Sequence, residues 1–239
     1  MTDQNGNLTI ATGAATKRVL VIDIGGTSVK LLATGQKERT RLPSSPDLTP
    51  AEMVESVQQA TAGWDHDVVS IGYPGPVESN VILVEPENLG GGWVGYDFAK
   101  AFGKPVKIVN DAAMQAIGSY EGDEMLFLGL GTGLGSALIS HGTLQPLELA
   151  HLPYNKGRTY EDYLGKRGLK KRGKKKWREK VFEIVPAFRA AFQVDYVVLG
   201  GGNAKLLDEL PANTRRGGND LALTGGFRLW DPQSPIRVD

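Results

Sequence analysis

Cysteine is absent from the 239 residues, which excludes disulfides and every thiolate metal site. Histidine is scarce, at three, so an imidazole-based metal centre has few ligands to draw on. Long apolar runs are missing as well, and no stretch reaches the length that spans a bilayer. The opening segment Met1–Thr16 is polar, rich in Thr, Asn and Gly, and carries neither the basic nor the apolar region of a signal peptide. A cytoplasmic protein with no membrane partner is expected, with residues 1–17 as a flexible tail. Net charge is the last thing lacking, since 27 Lys and Arg balance 27 Asp and Glu. That balance hides a segregation. Between Lys166 and Lys180 ten basic residues stand against the single acid Glu179, which sets +9 there against −9 elsewhere. Such a block suits a polyanion-facing patch or a solvated helix surface.

What is present is glycine, 31 in all, clustered where short apolar runs end. Glycine without a period at such places is loop chemistry. The length suits two lobes of about 100 residues each. Arg18 to Ile24 reads as a buried strand, Gly25-Gly26-Thr27-Ser28 as a turn, and Val29 to Ala33 as the return strand of a hairpin. Two adjacent glycines let backbone N–H groups approach an anion, and the Thr27 and Ser28 hydroxyls and the Lys30 amine add donors. Asp23, just ahead of the glycines, is placed to hold Mg²⁺ through water. The spacing matches neither the P-loop nor the dinucleotide fingerprint. Met125 to Leu130, Gly131-Thr132-Gly133-Leu134-Gly135 and Ser136 to Ser140 repeat the pattern, which reads as an internal duplication. Two such hairpins facing across a cleft would clamp a phosphate chain from both sides, as phosphoryl transfer requires.

Between the hairpins, Pro43–Pro50 is a link, and the spacing of Ala51, Val54, Val57 and Ala60 predicts a helix over 50–62. Val68 to Tyr73 is a strand that stops at a turn rich in Gly and Pro. A loop then carries Asn88 and Trp93, an amide and an aromatic suited to a polyol. Tyr96 to Phe102 is expected to be a short helix. The apolar run Val106–Val109 ends abruptly at Asn110-Asp111, ahead of a helix from Ala112 to Gly118. Ligands of open α/β sheets sit beyond the carboxyl ends of strands, so Asp111 is the candidate for chemistry; its plainer use is as a helix cap. Glu148 and His151 stand at i and i+3, one face if the segment is helical. Polar contact with sugar hydroxyls suits them better than zinc, which needs more ligands. An ordinary exposed pair is the plain alternative.

Taken in order, these motifs resemble the ROK sugar kinases (repressors, open reading frames and kinases), and within them the short polyphosphate glucokinase branch. The likeness runs from Arg18 to about Phe227. It implies an α/β, actin-like ATPase (ribonuclease H-like) fold with two lobes, 18–109 and 110–239, around a central cleft. Asp23-Ile24-Gly25-Gly26-Thr27 is similar to the family's first phosphate motif and Gly129 to Gly135 to its second, so Gly25, Gly26, Thr27, Lys30, Gly131, Thr132 and Gly133 would bind phosphate. Asp111 would be the catalytic base, Asn88, Asn110, Glu148 and His151 the sugar ligands, and Gly200, Gly201 and Gly202 the nucleotide or donor side. Ala150 departs from the family's Glu-x-Gly-His, and the cysteine-rich zinc motif of many members is missing. The resemblance implies glucose as the hexose, ATP and/or inorganic polyphosphate as donor, Mg²⁺ as cofactor, and a homodimer. The segment Lys166–Lys180, with Trp177 in it, would track the polyanion along the cleft. A non-catalytic sugar sensor or nucleic-acid-binding protein is the alternative, although a sensor would have no need of Asp111 or the paired loops, and a nucleic-acid partner is not expected.

Overall fold

The computed structural model describes residues 17–218 and 220–238. The tail expected over 1–17 therefore lies, but for Lys17, outside the described residues. The first half holds β1 (Val19–Ile24), β2 (Ser28–Ala33), β3 (Thr40–Pro43), α1 (Pro50–Ala60), β4 (Val68–Tyr73), β5 (Val77–Glu78), β6 (Val81–Ile82), α2 (Phe98–Phe102) and β7 (Val106–Asn110). The second holds α3 (Asp111–Ser119), β8 (Met125–Leu130), β9 (Leu134–Ser140), β10 (Thr143–Leu147), β11 (Pro153–Asn155), β12 (Arg158–Thr159), α4 (Glu161–Leu164), α5 (Lys166–Phe192), β13 (Tyr196–Gly200), β14 (Thr214–Arg216) and α6 (Leu221–Arg228).

Two five-stranded sheets share one topology. Their orders are β3-β2-β1-β4-β7 and β10-β9-β8-β13-β14, each with its first three strands antiparallel and the remaining pairs parallel. The duplication read from the two glycine hairpins thus extends to whole sheets. β1, β4 and β13 are buried at every position, as strands covered on both faces must be. Alternate side chains of β1 serve two cores. Leu20, Ile22 and Ile24 pack with α1 and α2, while Val19 and Val21 face a central cluster. β8 behaves likewise, sending Leu126, Leu128 and Leu130 toward α5 and Met125 and Phe127 to the centre.

Helices α3 and α6 fill that centre, between the sheets. They cross closely enough that a Cβ on Gly118 would lie 1.8 Å from the Leu221 carbonyl oxygen. α6 also closes on β1 and β4, where the buried Ser70 hydroxyl donates to the Gly226 carbonyl at 2.6 Å. Beyond α6 the chain docks again. Arg237 forms a parallel bridge with Thr143, and its N–H donates to Gly142 O at 2.7 Å, so the tail adds to the free edge of β10.

Local sequence explains the helix starts. Thr49 and Glu52 form a reciprocal capping box with Pro50 in the first turn of α1. α2 begins at Phe98 rather than Tyr96, because the Asp97 carboxylate accepts the Lys100 N–H at 2.9 Å and sets the cap there. α5 is broken at Gly173, whose φ of 75° and ψ of 161° no helix accommodates. After the break, Trp177, Val181, Ile184, Val185 and Phe188 make one buried stripe against the second sheet.

Candidate active site

Asp111 is the first residue of α3, at the carboxyl tip of β7. Its neighbour Asn110 makes the cap, its side-chain oxygen accepting the N–H groups of Ala112 at 2.9 Å and Ala113 at 3.2 Å. The same amide donates to Gly75 O at 3.0 Å, which fastens the Gly-Pro turn after β4 to the tip of β7. Capping is thus Asn110's work. Asp111 shares only the Ala112 N–H, at 2.7 Å. The residue is partly buried, with its carboxyl packed among protein atoms. That burial, then the negative charge of Asp23, pushes the Asp111 carboxyl up to about 7. A carboxyl held there is matched to proton transfer near neutrality.

Asp23 is 5 % exposed and lies opposite Lys30 in the β1–β2 register. The Lys30 amine bonds its Oδ2 at 2.6 Å. Lys30 was expected to donate to phosphate; in the structure its charge is engaged by Asp23, and it offsets part of the repulsion that Asp23 exerts on Asp111. Gly26 and Thr27 are exposed at the turn, and a Cβ on Gly26 would come 3.3 Å from Asn88 Cβ. Asn88 therefore stands beside the first glycine loop.

The second loop meets α3 directly. Gly135 leaves so little room that a Cβ there would sit 2.7 Å from Ala112 Cβ, one residue from Asp111. Gly131 O accepts the backbone N–H of Lys166 at 3.0 Å and the Asn203 amide at 3.0 Å. The first turn of the basic helix α5 and the third glycine segment are thereby tied to the same loop. Gly201, with φ of 78°, comes within 2.5 Å of the Leu130 backbone at its missing Cβ, a conformation and an approach that both call for glycine. Two residues unrecognised in the sequence complete this loop. Glu161 Oε2 accepts the Leu134 N–H at 3.2 Å, and the Asn203 side chain spans from the third segment to Gly131. Only a polar residue just after Gly200-Gly201-Gly202 hinted at the latter.

A cleft cavity of about 490 Å³ runs past Asn110, Gly135, Ser136 and Glu148 to the β5–β6 hairpin. Asn80, at the tip of that hairpin, bonds the free edge of β7 through both side-chain atoms, donating to Val106 O and accepting from Ile108 N. His151 does not line the cavity and is exposed. The helical face expected for Glu148 and His151 is not formed. The Ser136 hydroxyl bonds both Leu147 O and Leu149 N, at 2.9 and 3.1 Å, and holds the segment as a turn after β10. Two aromatic expectations also fail. Trp93 is fully buried between Tyr73 and Phe98, so it faces no sugar. Trp177 is fully buried too, its indole N–H donating to Leu164 O at 2.9 Å, so it lines no polyanion track.

Residues 19–146 match the ROK family. The chain is a ROK protein. Over 220 residues it is 28% identical to a polyphosphate glucokinase of Mycobacterium tuberculosis, covering 82% of each chain. It is also 29% identical over 143 residues to a glucokinase of Pyrobaculum calidifontis, covering 57% of this chain and 44% of that one. Among solved structures it resembles an inorganic polyphosphate/ATP-glucomannokinase from Arthrobacter sp. strain KM, with a TM-score of 0.74 and 24% identity over 88% of this chain and 97% of that one. A ROK family glucokinase from Streptomyces griseus, in complex with glucose and AMPPNP, superposes with a TM-score of 0.68 at 17% identity over 89% and 99%. The fold of this ROK protein is the actin-like α/β fold that its motifs implied.

Asn110, Gly135 and Glu148 of this ROK protein line the cleft cavity, and Asp111, Asp23, Asn88, His151 and the tips of the three glycine segments are not in its lining. Asn88 stands beside the first glycine loop, and the second and third segments are joined through Gly131 and Asn203. Among the described residues, no helix is long and apolar enough to cross a membrane.

Proposed function

We propose that this ROK protein is a hexose kinase that converts glucose to glucose 6-phosphate, with polyphosphate, ATP or both as donor. The observation that carries the reading is the Asp111 carboxyl, held at about 7 at the head of α3 and beside the second glycine loop. In the step, the sugar hydroxyl oxygen attacks the terminal phosphorus and the bond from that phosphorus to the donor oxygen breaks. The hydroxyl proton passes to Asp111, and ADP or a shortened polyphosphate leaves. Asn110 and Glu148 orient the sugar from the cavity wall, and Asn88 from beside the first glycine loop. Backbone N–H groups at Gly26, Thr27, Thr132 and Gly133 cradle the phosphates, while those of Gly25 and Gly131 donate within their own loops, and Gly200–Gly202 border the donor. Closure of lobes 18–109 and 110–239 excludes the water that would compete with the sugar.

Mg²⁺ fits the donor set. Asp23 and Asp111 are hard oxygen donors close enough to repel one another, and this ion binds through one or two carboxylates together with phosphate oxygens. Asp23 would hold it, and when bound it offsets negative charge on the transferring group.

Support for a polyphosphate donor comes from α5. Its first N–H is bonded to the second glycine loop, and Lys166, Arg167, Lys170, Lys171, Lys174, Lys175 and Lys176 are exposed along the helix that leaves that loop. A chain of phosphates longer than ATP would meet these charges in succession.

The test is sugar phosphate formation from glucose with Mg²⁺, with ATP and long-chain polyphosphate compared in parallel and Asp111→Ala as control. Product from polyphosphate supports the extended donor track; product from ATP alone returns α5 to a solvated surface. Sugar binding without product from either donor sinks the kinase reading.

A further inference from the structure

A second cavity, of about 360 Å³, lies where the chain after α6 crosses toward β10. None of the residues assigned above to sugar, phosphate or catalysis lines it. Three cationic side chains do: Lys107 from β7, Arg228 from the end of α6 and Arg237 from the tail, with Asp231 the only acid in the lining. The Lys107 amine donates to Leu229 O at 2.7 Å and stands 4.7 Å from the centre of the Trp230 ring, with Lys17 4.8 Å from the same ring. Arg228 Nη1 donates to Ile117 O at 2.7 Å and Tyr120 O at 2.9 Å, closing the C-terminal end of α3. Among the described residues, Lys107 and Arg228 thus reach backbone carbonyls rather than carboxylates. Burial and the proximity of Lys17 push the Lys107 amine down, the mark of a cation short of counter-charge.

Convergent positive charge in a partly enclosed space is held at a cost that an anion would remove. Guanidinium groups present paired N–H donors that match tetrahedral oxyanions, and an ammonium adds a point charge. We propose that this cavity is an anion site that takes a phosphate group, as inorganic phosphate or as the phosphate of a small monoester. Lys107 sits on the strand that ends at Asn110, and Arg237 on the tail that pairs with β10, so one bound phosphate ties the first sheet to the edge of the second. The inference does not depend on the chemistry at Asp111.

Inorganic phosphate and, separately, a sugar phosphate should be titrated into the full chain, followed by tryptophan fluorescence and melting temperature. A saturable change in the wild type is expected, with the fluorescence part lost in Trp230→Phe. Arg237→Gln keeps the backbone pairing of the tail, and its side chain gives up one 3.4 Å contact with His141 O. It should weaken binding by about tenfold, the loss that one charge-assisted hydrogen bond produces, and Lys107→Met should do the same. Tighter binding of one titrant identifies the source as free phosphate or a monoester. No saturable response in the wild type, or undiminished wild-type affinity in both variants, would overturn the site, the latter by placing the phosphate at the glycine loops.

Discussion

Replacing Asp111 by Asn should stabilise the protein while it slows turnover, and the gain should depend on pH. A carboxyl that ordinarily titrates at about 4 is held at about 7 in the folded chain. Because the folded value is the higher one, the folded state keeps a proton that the unfolded chain gives up between those limits. Stability is therefore lost as pH rises from about 4 to about 7, and the whole penalty is present above 7. Its size is on the order of 4 kcal/mol at pH 8, roughly 1–2 kcal/mol at pH 5 and close to nothing at pH 3. Asn carries no charge and keeps an oxygen for the Ala112 N–H, so Asp111→Asn should recover that penalty. Urea unfolding of both proteins at the three pH values, read by tryptophan fluorescence, gives the differences directly. A difference that does not vary with pH, or none at pH 8, would show that the carboxyl ionises normally and would refute the burial argument. In the same variant kcat should fall by about 10²- to 10⁴-fold, the range of general-base catalysis. Wild-type kcat should rise with pH through about 7 as the base loses its proton.

Gly135→Val places new atoms against Ala112, where even a Cβ lies at 2.7 Å; a loss of about 1–3 kcal/mol by calorimetry is expected, together with a raised KM as the head of α3 shifts. Trp177→Phe leaves Leu164 O without its indole donor and should lower stability by about 1–3 kcal/mol, with turnover per folded molecule unchanged; a selective loss of polyphosphate use would return Trp177 to the donor track. Lys174, Lys175 and Lys176 changed together to Gln should reduce the slope of log K against log salt for polyphosphate by about 2–3, and leave the ATP reaction alone. Equal slopes would detach α5 from the donor.

Much of this was legible because it is local. Both glycine hairpins, the strand ending at Asn110-Asp111 and the helix of 50–60 depend on neighbours within a few residues. The pairing of Asp23 with Lys30 was implicit in the hairpin, since a two-stranded register with that turn sets them opposite one another. The conformation at Glu148–His151 was not legible. Spacing of i and i+3 serves a helix and a turn equally, and the choice is made by Ser136, which reaches Leu147 and Leu149 from the adjacent strand. Trp177 misled because the charges around it draw attention from the stripe it begins with Val181, Ile184 and Phe188. The strap after α6 was illegible for a simpler reason: its partner, the edge of β10, lies far back in the chain.

The return of α6 to the first sheet bears on how the protein is made. Ser70 waits for Gly226 across 156 residues. At ribosomal rates of about 5–20 residues per second, that interval is on the order of ten to thirty seconds. Throughout it Val19, Val21 and Val68 belong to a face whose cover is still untranslated. Nascent chains in that state invite chaperone binding or aggregation. A stop codon ahead of Leu221 would make the state permanent, so a truncated product would be a client for degradation rather than a smaller enzyme.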